Sequence, residues 1–385
     1  MSSSISSSEQ ASAWRRFALI APILAGALLC VFLATAYAID PYDSGRSKLF
    51  EKRGVRPQGP RIAHASRGRD PRFNAAIFGN SHIQLISPER LAGTGLSFVQ
   101  LSIPATRPRE QLLMMDWFAR HHAAPRAMIL GADAFWCTSD AALPNDKPFP
   151  FWLYTTSTLE YLTGLIRYDV LEEIPRRLNY LLARNPERAQ PDGYWDNEAN
   201  WIDQGYASDP RIRARLEQPP SPAVGNASGR YPAAERLRSL LDRLSPDIAF
   251  IVVFPPAYTS SIPDEGTAGA AAERACKAGL IRALSGRPRT AFVDWRVDRP
   301  ENRTPSTFST TLITASRSPA WWRRTSPTRW RGLRRIREFR GVSGCSCAGT
   351  AITGSKASPF MPISLQRHDV HSRCRRLASR LYARP

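Results

Sequence analysis

Four short apolar runs recur along the chain, and each stops at turn-forming residues. Ala75-Ala76-Ile77-Phe78 runs into Gly79-Asn80-Ser81-His82, and Phe98 to Ile103 runs into Pro104-Ala105-Thr106-Arg107-Pro108. Ala127 to Leu130 leads into Gly131-Ala132-Asp133, and Ile248 to Phe254 into Pro255-Pro256-Ala257-Tyr258. Near-continuous hydrophobic runs of this length predict strands covered on both faces. Helical patterns follow or intervene at Ile83 to Leu91, Arg109 to His121, Ser157 to Arg184, Ala233 to Leu244 and Ala268 to Ser285, and Ala291 to Trp295 reads as a last strand. The alternation predicts an α/β fold with a doubly wound, flavodoxin-like parallel sheet, whose four punctuated loops share the rim where ligands bind.

Ahead of this region, Phe17 to Ile39 is a 23-residue stretch without a charge, preceded by Trp14-Arg15-Arg16. Such a stretch crosses a hydrocarbon core of roughly 30 Å, and the arginines assign residues 1–16 to the cytoplasm. The expectation is a single-pass inner-membrane protein: residues 17–39 are a transmembrane anchor and the chain beyond them is periplasmic. Ala36-Tyr37-Ala38 supplies the competing reading, a signal-peptidase site. Residues 40–302 suit one domain with an insertion at about 143–231.

The chemistry centres on Ser81. A glycine that permits a tight turn, then a serine ahead of a helix, is one way to present a nucleophile at a strand end; a plain loop with Ser81 as N-cap is the alternative. Over roughly Asn74 to Asn302 the chain resembles the SGNH (GDSL-like) hydrolases, in particular their membrane-anchored branch acting on acylated envelope polymers. Gly79-Asn80-Ser81 matches the first block with Asn for Asp. Ala105 stands where the second block has glycine, Asp133 where the third has Asn, and the Pro255-Pro256-Ala257-Tyr258 turn is shared with that branch. The resemblance implies an SGNH-like fold and a serine esterase or acetyl-type O-acyltransferase working through an acyl-serine on a cell-envelope polysaccharide or other acylated polymer. It needs no cofactor or metal and suits a membrane-bound acyltransferase as partner. Amides of Ser81 and Ala105 would line the oxyanion side, with Gly79 and Asn80 in support. A carboxylate facing an oxyanion is unfavourable, so Asp133 would fix loops or contact substrate.

The last block of that family, Asp-X-X-His, supplies the general base and its orienting carboxylate. No such pair follows Asn302. The only later histidines are His368 and His371, and Asp369 is separated from His371 by one residue. As written, the chain is expected to be inactive. The alternative class is a non-catalytic anchored scaffold or carbohydrate-binding protein of the envelope.

Charge explains the missing block. Of the formal +20 on 385 residues, residues 303–385 carry +15, from 17 Lys and Arg against Glu338 and Asp369. That tail has Trp321-Trp322, Trp330, Cys345, Cys347 and Cys374 but no periodicity. Its composition is that of a GC-rich gene read out of frame. With one choice of codons, Thr307 to Ser316 read from the third base of the first codon becomes Phe-Phe-Asp-His-Thr-His-Tyr-Arg-Lys, which contains the missing block. A genuine basic tail for nucleic acid or anionic lipid is the competing reading, but no nucleic-acid recognition motif accompanies it, so no nucleic-acid partner is expected.

The remaining candidates are few. Cys137 and Cys276 form either one disulfide or two buried thiols. His82 adjoins Ser81 too closely to serve easily as its base, and His121-His122 end a helix. Trp152, Trp195 and Trp201 either pack or line a sugar surface. No Gly-rich phosphate loop or metal-spaced Cys/His set occurs before the tail. The DNA across codons 302–316 is expected to encode Asp-His-Thr-His in an alternative frame; DNA lacking that string in every frame overturns the shifted-frame reading.

Overall fold

The computed structural model describes residues 7–195, 209–217, 226, 228–298 and 300–303. The tail, with its histidines and cysteines, and Trp201 lie outside them. Helix α1 (Ser7–Ile39) is, among the described residues, the one helix long and apolar enough to cross a membrane. α2 (Pro60–Arg67) precedes the first strand. Strands β1 (Ala75–Phe78), β2 (Phe98–Gln100), β3 (Ala127–Gly131), β4 (Ala249–Phe254) and β5 (Thr290–Asp294) form an all-parallel sheet in the order β2-β1-β3-β4-β5. α3 (Pro108–His121) leads into β3, and α4 (Phe151–Tyr154), α5 (Thr158–Leu165), α6 (Tyr168–Leu181) and α7 (Pro210–Glu217) occupy the long β3–β4 connection. α8 (Pro232–Arg243) completes that connection, and α9 (Ala268–Leu284) joins β4 to β5.

Every residue of β1, β2, β3 and β4 is buried, because each face of the sheet has its own apolar layer. Alternation along the strands sends Phe78, Leu130, Phe250 and Val252 to the layer containing Met114, Phe118, Leu237 and Leu280 from α3, α8 and α9. Ile77, Ile129, Ile251 and Val253 face the other way, against Ile83, Ile86 and Leu91. The helix expected at Ile83–Leu91 is absent: residues 81–85 are turns, and a 3₁₀ helix covers Pro88–Thr94. Proline disfavours the α conformation at the residue before it, and Ser87 is extended with φ −68° and ψ 128°. The long helix expected at 157–184 is two, separated at Ile166-Arg167; Gly164 lies flat against Trp152, where a Cβ would overlap the indole.

The end of α1 belongs to the domain. Ala36 is fully buried, Phe32 and Leu33 pack against the same layer, and Tyr37 meets Tyr161 edge to face at 6.3 Å. Beyond it, Asp40 accepts from Ser44 N (2.8 Å), Ser44 Oγ (2.9 Å) and Gly45 N (2.7 Å). Asp43 accepts from Gly54 N (2.7 Å), Ser66 Oγ (2.6 Å) and Arg69 Nη1 (2.7 Å), with Arg177 at 3.5 Å. These carboxylates lash the segment after α1 to α2 and α6.

The sequence reading overlooked α2, whose signal is Pro60 at its start. It carries the buried His64, whose Nε2 faces Ser102 O at 3.1 Å and whose Nδ1 faces Arg67 Nη1 at 3.1 Å. Burial, then the neighbouring Arg67, pushes its pKa well below the ordinary 6.5, against a smaller opposing pull from Ser102. The folded state thus keeps this imidazole neutral at pH values where the unfolded chain protonates it. The unfolded state then binds the extra proton, and stability falls as pH drops below about 6.5. Thermal unfolding of the full chain in detergent is expected to move to lower temperature between pH 7.5 and 5.5, with a shallower shift in His64→Gln.

Candidate functional site

In a sheet of order 2-1-3-4-5 the connections leave β1 and β3 in opposite directions, and a crevice opens between their carboxyl ends. Gly79 and Gly131 stand at those ends. Gly79 has φ +143°, and a Cβ on it would meet Ile83 Cγ2 at 2.7 Å and Gly131 O at 2.9 Å. A Cβ on Gly131 would also meet Ile83 at 2.7 Å. The two glycines therefore form the notch that seats Ile83, and this close approach excludes any side chain from either position.

Asn80 is the hub of the crevice. It is 3% exposed, and its Nδ2 donates to Asp133 Oδ2 at 2.5 Å and to Thr106 O at 3.4 Å. Its Oδ1 accepts from His82 N at 3.1 Å. One side chain thereby ties together the loops after β1, β2 and β3. Two of the positions that depart from the resembled motif, Asn80 and Asp133, are thus hydrogen-bonded to each other. Amide and carboxylate have changed places, and an amide donor still faces an oxygen acceptor.

Asp133 is fully engaged. Besides Asn80, its Oδ2 faces His82 Nδ1 at 3.1 Å, and its Oδ1 accepts from Phe135 N at 3.0 Å, capping the 3₁₀ turn Ala134–Cys137. That turn carries the buried Trp136, whose Nε1 donates to Gln111 Oε1 at 2.8 Å; Gln111 Nε2 in turn donates to Thr106 O at 3.2 Å. A disulfide joins Cys137 to Cys276 of α9, with Cα atoms 5.3 Å apart. Closing a loop of 139 residues this way contributes on the order of 4–5 kcal/mol in the chain-entropy account.

The loop after β2 holds Ala105 at φ +57°, exposed, in a turn closed by Thr106 N to Ile103 O at 3.2 Å. A left-handed residue at the third position, commonly with proline at the second, is the pattern of a type II turn. Glycine is the residue most at ease in that conformation, and alanine bears a strain of about 1 kcal/mol. The Ala105 N–H makes no hydrogen bond among the described residues.

Ser81 is half-buried, and its hydroxyl has no hydrogen-bond partner among the described residues. The cavity at this rim, about 90 Å³, is lined by His82, Asp133, Phe135, Pro255, Pro256 and Arg296 among others; Ser81 and Ala105 are not part of the lining. His82, bonded through Nδ1 to Asp133, lines that cavity. The pairing of His82 with Asp133 has no signature in the sequence, since it exists only because β1 and β3 are neighbours. Arg296 is held by Glu273 at 3.1 Å. Lys277 bridges Glu273 (2.7 Å) and Asp294 (2.8 Å) at the end of β5. Burial pushes the Asp294 carboxyl up despite Lys277. Glu273 is pushed up by burial as well, but Arg296 and Lys277 together hold it below the usual range.

The other histidines lie elsewhere. His121 stacks on Trp117 with ring centroids 4.0 Å apart, and His122 Nε2 meets Gly68 O at 3.0 Å. Trp152 packs against Tyr42 at 5.6 Å, while Trp195 is exposed. No group of metal-ligating side chains occurs among the described residues. No protein-family model matches this chain, and no curated protein matches it.

The exchange of amide and carboxylate carries an expectation. Asn80→Asp places two carboxylates in contact and is expected to lower unfolding stability by about 1–3 kcal/mol. Adding Asp133→Asn should recover most of that loss. Additive effects of the two substitutions in chemical unfolding would show that the pair is not coupled.

Proposed function

We propose that this chain is a membrane-anchored SGNH-type serine esterase or O-acyltransferase that handles acyl groups on an envelope polysaccharide or related polymer. The observation that carries the reading is the Asn80 hub. It ties the three loops of the resembled motif into one crevice at the β1/β3 switch point, directly before Ser81. The strand order is that of doubly wound sheets, and the strained Ala105 turn occupies the position where the family has glycine. In this reading Ser81 Oγ attacks the ester carbonyl carbon as a base takes its proton. The amides of Ser81 and Ala105 receive the charge on the carbonyl oxygen, and collapse expels the alcohol and leaves an acyl-serine. Water or a sugar hydroxyl then takes the acyl group.

Asp133 serves as a loop clamp, since its oxygens are taken by Asn80, His82 and Phe135. No histidine among the described residues is bonded to Ser81, so the base is assigned to the Asp-His-Thr-His of the shifted frame. The chain as written then lacks a step worth typically 10²–10⁴-fold.

The buried end of α1 favours an uncleaved anchor. Cutting after Ala38 would remove Ala36 and Tyr37 from the domain's core. The Cys137–Cys276 disulfide favours an oxidising compartment, hence the periplasm. The unpartnered Ser81 hydroxyl favours a second reading, an anchored envelope scaffold without turnover.

A fluorophosphonate probe and a short-chain ester separate the two readings. The chain with its frame restored is expected to label at Ser81 and hydrolyse the ester, and Ser81→Ala should lose both signals with unchanged circular dichroism. The chain as written should be slower by at least about 10²-fold. A Ser81→Ala variant of the frame-restored chain that keeps its esterase rate removes Ser81 as the nucleophile; a folded but unreactive frame-restored chain supports the scaffold.

A further inference from the structure

A larger cavity, of about 360 Å³, lies away from the rim, at the foot of α1. Ile39, the last residue of the apolar helix, lines it together with Phe50, and Lys48, Glu51, Arg53 and Arg177 supply charge. Two carboxylates in its wall are already satisfied: Asp40 by Ser44 and Gly45, and Asp43 by Arg69 and Arg177. Lys48 and Arg53 are exposed, and neither has an acidic partner among the described residues; Arg53 only donates to Arg69 O at 3.4 Å. Arg177 Nε is buried without a hydrogen-bond partner. Glu51 is exposed at the same mouth, with no cation on it among the described residues.

Beside this mouth the chain exposes two apolar side chains in succession, Leu49 at 67% and Phe50 at 39%. Lys52, next to them, lies over the Tyr180 ring at 4.2 Å. Exposed aromatic and aliphatic groups set among Lys and Arg, next to the end of a spanning helix, match the membrane–water interface, where apolar groups enter the acyl boundary and cations stay at headgroup level. The cavity thus opens at headgroup depth when α1 lies in a bilayer. Among the described residues, its exposed charges without an ion-pair partner are the cations Lys48 and Arg53 and the carboxylate Glu51, the complement of a phosphate joined to an ammonium, while the buried Asp40 is held by Ser44 and Gly45.

We propose that this cavity binds the headgroup of an aminophospholipid from the bilayer that holds α1. The phosphate lies between Lys48 and Arg53, the ammonium faces Glu51, and Leu49 and Phe50 enter the acyl region. The site rests on α1 lying in a bilayer and is independent of chemistry at Ser81. It would hold the domain at a set height over the membrane.

The full chain would be reconstituted in nanodiscs of equal phosphatidylethanolamine and phosphatidylcholine, and its retained lipids counted by native mass spectrometry after transfer to detergent. Retention enriched in phosphatidylethanolamine is expected. Lys48→Glu with Arg53→Glu should reduce retention about tenfold, as for loss of a charge-assisted hydrogen bond, while Arg90→Glu leaves it unchanged. Glu51→Gln should abolish the preference for the ethanolamine lipid. Retention at the input ratio, equal retention by the double variant, or displacement by millimolar inorganic phosphate overturns the lipid site. Failure of the chain to enter nanodiscs overturns the anchor itself.

Discussion

Burial on both faces is the constraint from which the rest follows. β1 sits between β2 and β3 with all four residues inside, so no polar side chain can lie along it. Such a strand needs an apolar layer above and below, supplied on one face by α3, α8 and α9 and on the other by Ile83, Ile86 and Leu91. Polar chemistry is thereby driven to the strand ends. Asn80 and Asp133 begin where the apolar runs of neighbouring strands stop, and their contact is a consequence of that register.

The rim is a structure of close approaches more than of regular elements. Two glycines yield space to one isoleucine, and a buried asparagine satisfies acceptors in two loops. A carboxylate so engaged has little freedom to move toward a substrate. The tie is a firm one, because an unpaired Asn80 or Asp133 would leave a buried polar group without a partner. The disulfide adds a covalent tie between the Asp133 loop and α9, on the helix-covered side of the sheet.

At the opposite extreme of the chain, α1 and the domain are joined without a flexible linker. Ala36 is buried in the core and Asp40 and Asp43 fold the following residues back upon themselves. A domain joined in this manner cannot swing freely about the end of α1. Its orientation is set by the same ionic and hydrogen-bonded contacts that pack α2 and α6 against the segment.

Apolar period and turn chemistry make much of the architecture legible in the chain itself. The strands, α3, α8, α9 and the apolar length of α1 follow from them, because burial acts on each residue where it stands. Local rules also failed locally: Pro88 broke the helix expected after Ser81, and Gly164 with Trp152 helped divide the one expected at 157–184. Ser81, Ala105 and Asp133 were identifiable as loop residues of one rim. That Asp133 grips Asn80 and His82 was not, since their separations of 53 and 51 positions leave no periodic trace. The apolar strands, the apolar length of α1 and the glycines that end the strands are legible in the chain alone, since these depend on each residue's own solvation and backbone freedom. Only the tertiary structure decided which polar groups meet across the rim and below α1, because hydrogen bonds and ion pairs act over a few ångströms between residues that the fold alone brings together.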